Sequence, residues 1–458
     1  MIANTGIGEM MIFAIALCLI TTHELCFAAP GEQKPSPNTY SGSHVFKESI
    51  PELSSRLDIV KRDRMHQDHS HEIVFAVKQR NMDELTRILH DVSDPTSDNY
   101  GHHLSRHEVV TLTSNPQACE AITKYLELSG VTVTSQTLGG EFIIAHAPIA
   151  VWEIMLNTEF HLFDIKNENN EIEEVVRTER YWIPNELDEH VDGLLNTVDM
   201  PLRSLRLNLE PQANINLQNH FHSQSFSTTP KKIREYYNMG TSKGSAASIQ
   251  AIYAPQDQYL GPAEVIQFQK NNKLVVQAPI IVNGNADDSY CSKNPGRCTE
   301  GNLDVQYIMA TSPESRTLFW RSTAGLHQWF ESILQRTDDM PLVVSISYGT
   351  TEILTSETSA NLFDQWAIKM GVRGITIFVA SGDRGANEGD DCGYESAWPA
   401  TSPYVTSVGA TNVSMDSSRA MRYLLCDLNG VMMIKTDDNS DLHCQSTFKS
   451  TTLISIFT

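Results

Sequence analysis

Two regimes of hydrophobic spacing divide the chain. Between His71 and about Leu207, short period-2 and apolar runs interleave with stretches of helical period. His71-Glu72-Ile73-Val74-Phe75-Ala76-Val77 predicts a strand, and Met82 to Leu89 a short amphipathic helix. Pro116 to Leu128 predicts a second helix, capped by Ser114 or Asn115 and ended by Gly130. Val131 to Thr134 and Glu141 to Ala145 read as strands, Ile149 to Leu156 as a helix, and Phe160 to Phe163 as a final strand. No Gly-rich phosphate loop interrupts this α+β pattern, so nothing in it points to catalysis.

From Thr229 onward the apolar runs are continuous rather than alternating. Ser248 to Tyr253, Leu274 to Val276, Leu342 to Ser347 and Ile375 to Ala380 predict strands buried on both faces. Between the last two, Leu362, Phe363, Trp366, Ala367 and Met370 recur at helical spacing, and Gly371 stands where a C-terminal cap belongs. Thr229 and Pro230 supply the cap and first position of an opening helix. Alternating strands and helices of this kind predict a doubly wound parallel sheet. Ligands bind such sheets beyond the carboxyl ends of the strands.

Between the two regimes, Asn208 to Thr229 is rich in Asn, Gln, His and Ser and too poor in apolar residues to order itself. The expected organisation is a signal peptide over 1–28, an N-terminal linker over 29–70, the first module over 71–207, a cleavable linker over 208–228, the second over 229–411, and a divergent tail over 412–458. The signal peptide rests on Met10 to Ile20, an apolar run too short to span a bilayer comfortably, followed by the small residues Ala28 and Ala29. The product should therefore enter the secretory pathway and carry no membrane span after cleavage.

Composition adds constraints. A formal charge of −22 argues against nucleic acid, which attracts an excess of Lys and Arg. Six cysteines remain after the signal region, free to pair in an oxidising lumen. Cys291 and Cys298, bracketing Ser292-Lys293-Asn294-Pro295-Gly296-Arg297, form the expected disulfide. Asn412-Val413-Ser414 is a glycosylation signature. His66, His69 and His71 with Asp68 read as a solvated linker, Lys61 to Arg64 as a mixed-charge loop, His102 and His103 as solvent-facing, and Trp320 and Trp329 as core or groove wall. No metal site is predicted.

The candidate chemistry lies in carboxylates. Glu300 and Asp304, four apart, share one helical face. Where that face is desolvated, such a pair shares a proton and one member can act as a general base. From spacing alone, an acidic first turn favoured by the helix dipole accounts for them at least as well. Asp383 follows Ile375 to Ala380 beyond the carboxyl end of a strand, and taken alone it is an ordinary turn acid.

The order and spacing of several blocks change that balance. Glu300-x-x-x-Asp304 with Val305-Gln306-Tyr307-Ile308, then Val344 to Gly349, then Phe378 to Ala386, then Trp398 to Thr411, resemble the sedolisin (serine-carboxyl peptidase) family. Leu303 to Tyr307 and Thr229-Pro230-x-x-Ile233-Arg234 are nearest to its animal lysosomal members. Pro95 to Leu104 is similar to the family's activation prosegment. The resemblance implies an α/β fold: a subtilisin-like doubly wound parallel sheet, incomplete within this chain, preceded by an α+β ferredoxin-like prosegment. It implies an acid serine-type, tripeptidyl-peptidase-like enzyme made as a zymogen, acting on peptides or unfolded proteins in the lysosome or outside the cell. Glu300 matches the general base, Asp304 the acid that orients it, and Asp383 the acid that donates to the oxyanion. Ser345, Ser347, Tyr348 and Gly349 match the strand that holds substrate backbone. The prosegment is implied as an intramolecular inhibitor.

Two departures accompany the match. The family's nucleophile lies in a Gly-Thr-Ser-x-Ser segment, which does not occur in the 458 residues; Gly240-Thr241-Ser242-Lys243-Gly244-Ser245 comes far too early to be its counterpart. The family's calcium loop is not matched either, and Asp437, Asp438 and Asp441 are not placed as its ligands. Two expectations follow: a fragment of an active peptidase, or a catalytically dead binding protein whose prosegment chaperones or inhibits an active relative.

Overall fold

The computed structural model describes residues 43–50, 59–166, 172–201, 203–204, 228–255, 258–284, 286–322, 325–337, 339–352, 355–382, 396–409, 424–426 and 432–434. The signal peptide, the glycosylation signature and all but the last residue of the 208–228 linker fall outside these residues, as do Asp383 and Cys392, whereas the 29–70 linker lies partly within them.

The first unit begins earlier than His71. Strands β1 (His44–Ser49) and β2 (Ile59–Arg64) pair antiparallel with Arg180–Pro184 and Phe160–Lys166, respectively. The boundary at His71 and the loop assigned to Lys61–Arg64 are therefore corrected. β2 escaped a periodicity reading because only Ile59 is buried. Its arginines are partnered, Arg62 across the sheet to Asp164 at 2.6 Å and Arg64 to Glu153 of the helix Ile149–Met155 at 2.6 Å.

Strand β3 (Ser70–Val77) enters the core and is followed by α1 (Met82–Ser93), α2 (Arg106–Thr113) and α3 (Pro116–Leu128). Ser105 and Glu108 close a capping box on α2, and the Asn115 side chain caps α3 with Pro116 in its first turn. Then come β4 (Thr132–Gln136), β5 (Phe142–Pro148), α4 (Ile149–Met155) and β6 (Phe160–Lys166). β6 is not the last strand. It is followed by β7 (Ile172–Thr178), β8 (Arg180–Pro184), the single turn α5 (Asn185–Asp188) and β9 (Val191–Leu195). The main antiparallel sheet runs β4-β5-β3-β9, the ferredoxin-like order. One face buries Ile73, Phe75, Ile122, Ile143, Trp152 and Tyr181 as a core of its own.

The second unit follows the two-residue strand β10 (Arg203–Ser204). It opens with α6 (Pro230–Tyr236), whose Thr229 cap accepts the Lys232 N–H at 3.3 Å. Next are β11 (Ile249–Ala254), α7 (Pro262–Asn271), β12 (Ile280–Val282), α8 (Asp288–Lys293), α9 (Thr299–Thr311), β13 (Arg316–Arg321) and α10 (Gly325–Leu334). They are followed by β14 (Val343–Ile346), β15 (Tyr348–Thr351), α11 (Glu357–Val372), β16 (Thr376–Ala380), β17 (Ala397–Trp398) and β18 (Thr406–Val408). Six strands form one parallel sheet in the order β12-β13-β11-β14-β16-β18. One face packs on α10 and α11 through Trp329, Phe330, Phe363 and Trp366, the other on α7 and α9 through Val265, Val305 and Met309. The sheet is doubly wound and subtilisin-like.

Two local expectations fail here. Leu274 to Val276 is not a strand: Val275 and Val276 lie exposed, and the edge strand is Ile280–Val282. Gly371 does not cap its helix but lies inside α11, where a Cβ would meet Leu89 Cδ1 at 2.5 Å. The left-handed residue that ends the helix is Gly374, φ +79°.

The two units share a core. Val74, Ala76, Phe142 and Leu195 of the first pack with Phe363, Trp366 and Met370 of the second. The Leu104 N–H donates to the Val372 carbonyl at 2.8 Å. Two short strands of the tail, β19 (Leu424–Cys426) and β20 (Met432–Ile434), pair with each other.

Candidate active site

Helix α9 carries both candidate acids, with Glu300 in its first turn and Asp304 one turn on. Neighbouring residues fix where that helix stands. Cys298 is its N-cap residue and is bonded to Cys291, with Cα atoms 5.6 Å apart, as expected. Gly301 lets the helix approach β13; a Cβ there would meet the Phe319 ring and the Tyr259 carbonyl oxygen, each at 3.0 Å. Buried Asn302 accepts the Gly261 N–H at 2.8 Å and donates to Glu264, tying α9 to the start of α7. At the far end, Arg234 donates to the Thr311 carbonyl at 3.0 Å. Sequence reasoning noticed Arg234 only as part of a matching block and overlooked Gly301 and Asn302. A small residue and an amide inside an otherwise apolar helical repeat were the available signal.

The carboxyl end of β14 meets this helix. Ser347, the residue between β14 and β15, donates its hydroxyl to Asp304 Oδ1 at 2.9 Å. Both side chains are half-buried. A hydroxyl donated to a carboxylate favours its ionised form. The arrangement pairs two acids on one helical face and holds one of them from the sheet.

The four residues matched to substrate binding divide. Ser345 lies in the middle of the sheet, paired with Ile252 on one side and Phe378 on the other, so its backbone has no free edge for a peptide. That assignment is corrected. Ser347 turns its side chain to Asp304. Tyr348 and Gly349 do lie on a strand that accepts added chain. β15 pairs antiparallel with β10, Arg203 opposite Gly349 and Ser204 opposite Tyr348, while its other side takes β17. Thus the stretch that follows the first unit occupies the strand beside the acids. Toward Asp383, β16 ends at Ala380, Ser381 donates to the Val408 carbonyl at 3.0 Å, and Gly382 adopts φ +91°. Asp383 itself is outside the described residues.

Residues 58–200 match the family described as Pro-kumamolisin, activation domain. The chain is also 30% identical over 364 residues to the tripeptidyl-peptidase 1 of Homo sapiens, covering 74% of this chain and 61% of that protein. The Macaca fascicularis protein of the same name is 30% identical over 365 residues, with the same coverage. The Canis lupus familiaris one is 27% identical over 419 residues, covering 86% of this chain and 69% of that one. The chain belongs to the sedolisin family. Among solved structures, a Pseudomonas sedolisin complexed with two molecules of pseudo-iodotyrostatin aligns at TM-score 0.34 and 21% identity, over 46% of this chain and 60% of that one, which adds nothing to the assignment. The chain spans about three-fifths of the length of the human and macaque relatives.

Two other sequence expectations have structural counterparts. Cys119 is a buried free thiol whose Sγ donates to the Gly140 carbonyl at 3.3 Å, so it is not part of a disulfide. His71 is not in a solvated linker: it lies in β3, donates Nε2–H to the Asn196 carbonyl at 2.8 Å, and burial lowers it to about 4. Among the described residues no group of three or more His, Cys, Asp or Glu gathers in a way that fits calcium, and Asp437, Asp438 and Asp441 lie outside them. Among the described residues no helix is long and apolar enough to cross a membrane.

Proposed function

We propose that this chain is the activation prosegment and acid-bearing region of a sedolisin-type serine peptidase, tripeptidyl-peptidase-like and made as a zymogen in the secretory pathway for delivery to the lysosome. The observation that carries this reading is the seating of Arg203-Ser204 on Gly349-Tyr348, next to the residue that binds Asp304. A prosegment end lying antiparallel on that strand holds the position a peptide substrate would take, and so blocks it until cleaved away. Peptides or unfolded proteins are the substrates under this reading.

In the proposed chemistry, Glu300 accepts the proton of a serine hydroxyl as that oxygen attacks the scissile carbonyl. Asp304 holds Glu300 in place and, as an anion one turn away, strengthens its affinity for that proton. Asp383, protonated at acidic pH, donates to the developing oxyanion. Glu300 then passes that proton to the leaving amine as the tetrahedral intermediate collapses to the acyl-enzyme. Water attacks the ester with Glu300 taking its proton, which returns to the serine oxygen as the acyl group leaves. The nucleophile belongs to a Gly-Thr-Ser-x-Ser segment that these 458 residues do not contain, so hydrolysis is proposed for a form of the protein that carries it. Such a form, incubated with a fluorogenic tripeptide at acidic pH, should release the tripeptide only from substrates with a free N-terminus, and Glu300→Gln should abolish release. Undiminished hydrolysis by the Gln variant would sink the assignment of the base.

A second reading is favoured by the first unit having its own core. As a binding protein, the chain would chaperone or inhibit an active relative through its prosegment. Adding the chain to such a relative at acidic pH separates the two: unchanged hydrolysis rates refute this reading.

A further inference from the structure

Ser347 occupies a single step between two different environments. The residue before it, Ile346, is paired with Val379 in the central sheet. The residue after it, Tyr348, is paired with Ser204 on the strand proposed to hold substrate. Its own hydroxyl faces neither strand and donates to Asp304 Oδ1 at 2.9 Å. Where two carboxylates interact strongly, an asymmetric environment decides which keeps the proton. A donor aimed at one of them favours the charged form of that one.

We propose that Ser347 is a positioning residue that keeps Asp304 ionised and in one rotamer, leaving Glu300 as the member of the pair that takes up a proton. The inference rests on reading Glu300 and Asp304 as the catalytic pair, and it gives Ser347 a role other than contacting substrate with its side chain. It also makes β15 and α9 mechanically adjacent.

The test uses the full chain labelled with carbon-13 at the aspartate carboxyl, following Asp304 through a pH titration. Its signal is assigned by its loss in Asp304→Asn. Ser347→Ala should raise the Asp304 midpoint by roughly 1–2 pH units, the size of one hydrogen bond to a carboxylate, and Ser347→Thr should restore it. A midpoint unmoved in the Ala variant overturns the proposal, as does a shift that Thr does not reverse. Should the Ala variant not fold, Ser347→Cys serves instead: its weak donor should give a partial rise, and no rise overturns the proposal. Asp304→Asn separates the proposal from the reading beneath it. With the glutamate carboxyls labelled as well, coupled acids require the Glu300 midpoint to fall when the ionised Asp304 is removed. If the Glu300 midpoint stays put while Ser347→Ala still raises that of Asp304, the catalytic pairing fails and the Ser347 hold stands.

Discussion

Lys369 Nζ lies 3.0 Å from Glu141 Oε1, a buried ion pair joining helix α11 of the second unit to the activation domain. The lysine side chain is 2% exposed and the glutamate 11%. Gln79 Oε1 accepts a second lysine N–H at 3.0 Å, and the ammonium stands 5.0 Å from the centre of the Trp366 ring. Two more prosegment carboxylates reach the same helix: Glu48 accepts the Thr358 N–H at 2.9 Å near its start, and Asp192 accepts from Gln365 at 3.0 Å. A buried pair of this kind adds little net stability, but losing one partner strands a charge where water cannot reach it.

Glu141→Gln should therefore loosen the activation domain at neutral pH, at a cost of about 3–5 kcal/mol. Burial by itself would raise the Glu141 carboxyl, yet the charge and hydrogen bond of Lys369 outweigh it and the net direction is down. The sign follows: its contribution to docking is present above the ordinary value of 4.5 and disappears as pH falls through a docked value below that. With a site-specific protease sequence inserted within 208–228, cleaved protein run on a size-exclusion column reports docking directly. The parent halves should co-elute near neutrality and separate below pH 4.5. The double variant Glu141→Leu with Lys369→Met should stay associated in acid, and its separation at the parent's pH would refute the latch.

What the sequence disclosed depended on how local the cause was. The Asn115 and Pro116 start of α3 and the Thr229 and Pro230 start of α6 were legible because a cap acts within one turn. Glu300 and Asp304 were legible as a pair because helical spacing alone puts them on one face. Ser345 was misjudged because strand register is decided by distant partners, Ile252 on one side and Phe378 on the other, and nothing in Val344 to Gly349 reveals which residue is flanked on both sides. β2 was missed since its partners for Arg62 and Arg64 lie about ninety to a hundred residues downstream. The Gly371 error has the same origin: the glycine answers to Leu89 across the interface rather than to its own helix end.

Stability should fall as pH drops from 6.5 toward 4. Burial lowers both His71 and His327 to about 4, the Asn196 carbonyl opposing it at the first and Asp199 at the second. Between those pH values the unfolded chain binds protons that the folded one refuses, so acid favours unfolding. Glu331 acts in the opposite sense. Burial, with Glu141 adding, raises it to about 6, so its contribution is full below 4.5 and lost as pH rises through 6. Burial also raises Glu48 and Asp364, which act with Glu331; the two histidines, each shifted further than Glu331, outweigh them in this prediction and make the slope unfavourable in acid. Urea melts at several pH values should show it, and His327→Phe should flatten it. A parent whose stability is level from 6.5 to 4 contradicts the account.

Gly193 sits against the first turn of α11. A Cβ at this position would lie 2.8 Å from Thr358 Cβ and closer still to the threonine's branches, a contact that rotation of the threonine cannot relieve. Gly193→Ala should force β9 and α11 apart and weaken docking, while the core of the activation domain, built around Trp152 and Tyr181, persists. Cleaved Gly193→Ala protein should thus separate on the size-exclusion column at neutral pH. Co-elution like the parent's would mean the interface absorbs a methyl there.

The site should fail by loosening before it fails by unfolding. Cys298 is two residues from Glu300 and forms the N-cap of α9, so the disulfide to Cys291 fixes the backbone that presents the base. Closing so short a loop contributes about 2–3 kcal/mol in the chain-entropy account, a fraction of the stability of a chain whose core lies elsewhere. Replacing both cysteines with serine should leave the global melt cooperative and only modestly lower. Amide exchange over Thr299–Asn302 should nonetheless accelerate, because more of the hold on the start of the helix then falls on Asn302, through Gly261 and Glu264. Adding Asn302→Ala should extend the fast exchange to Asp304, while Arg234 keeps the Thr311 end slow. If exchange across α9 rises uniformly, the helix is held as one body by its apolar face, and the disulfide has no special part in placing the acids.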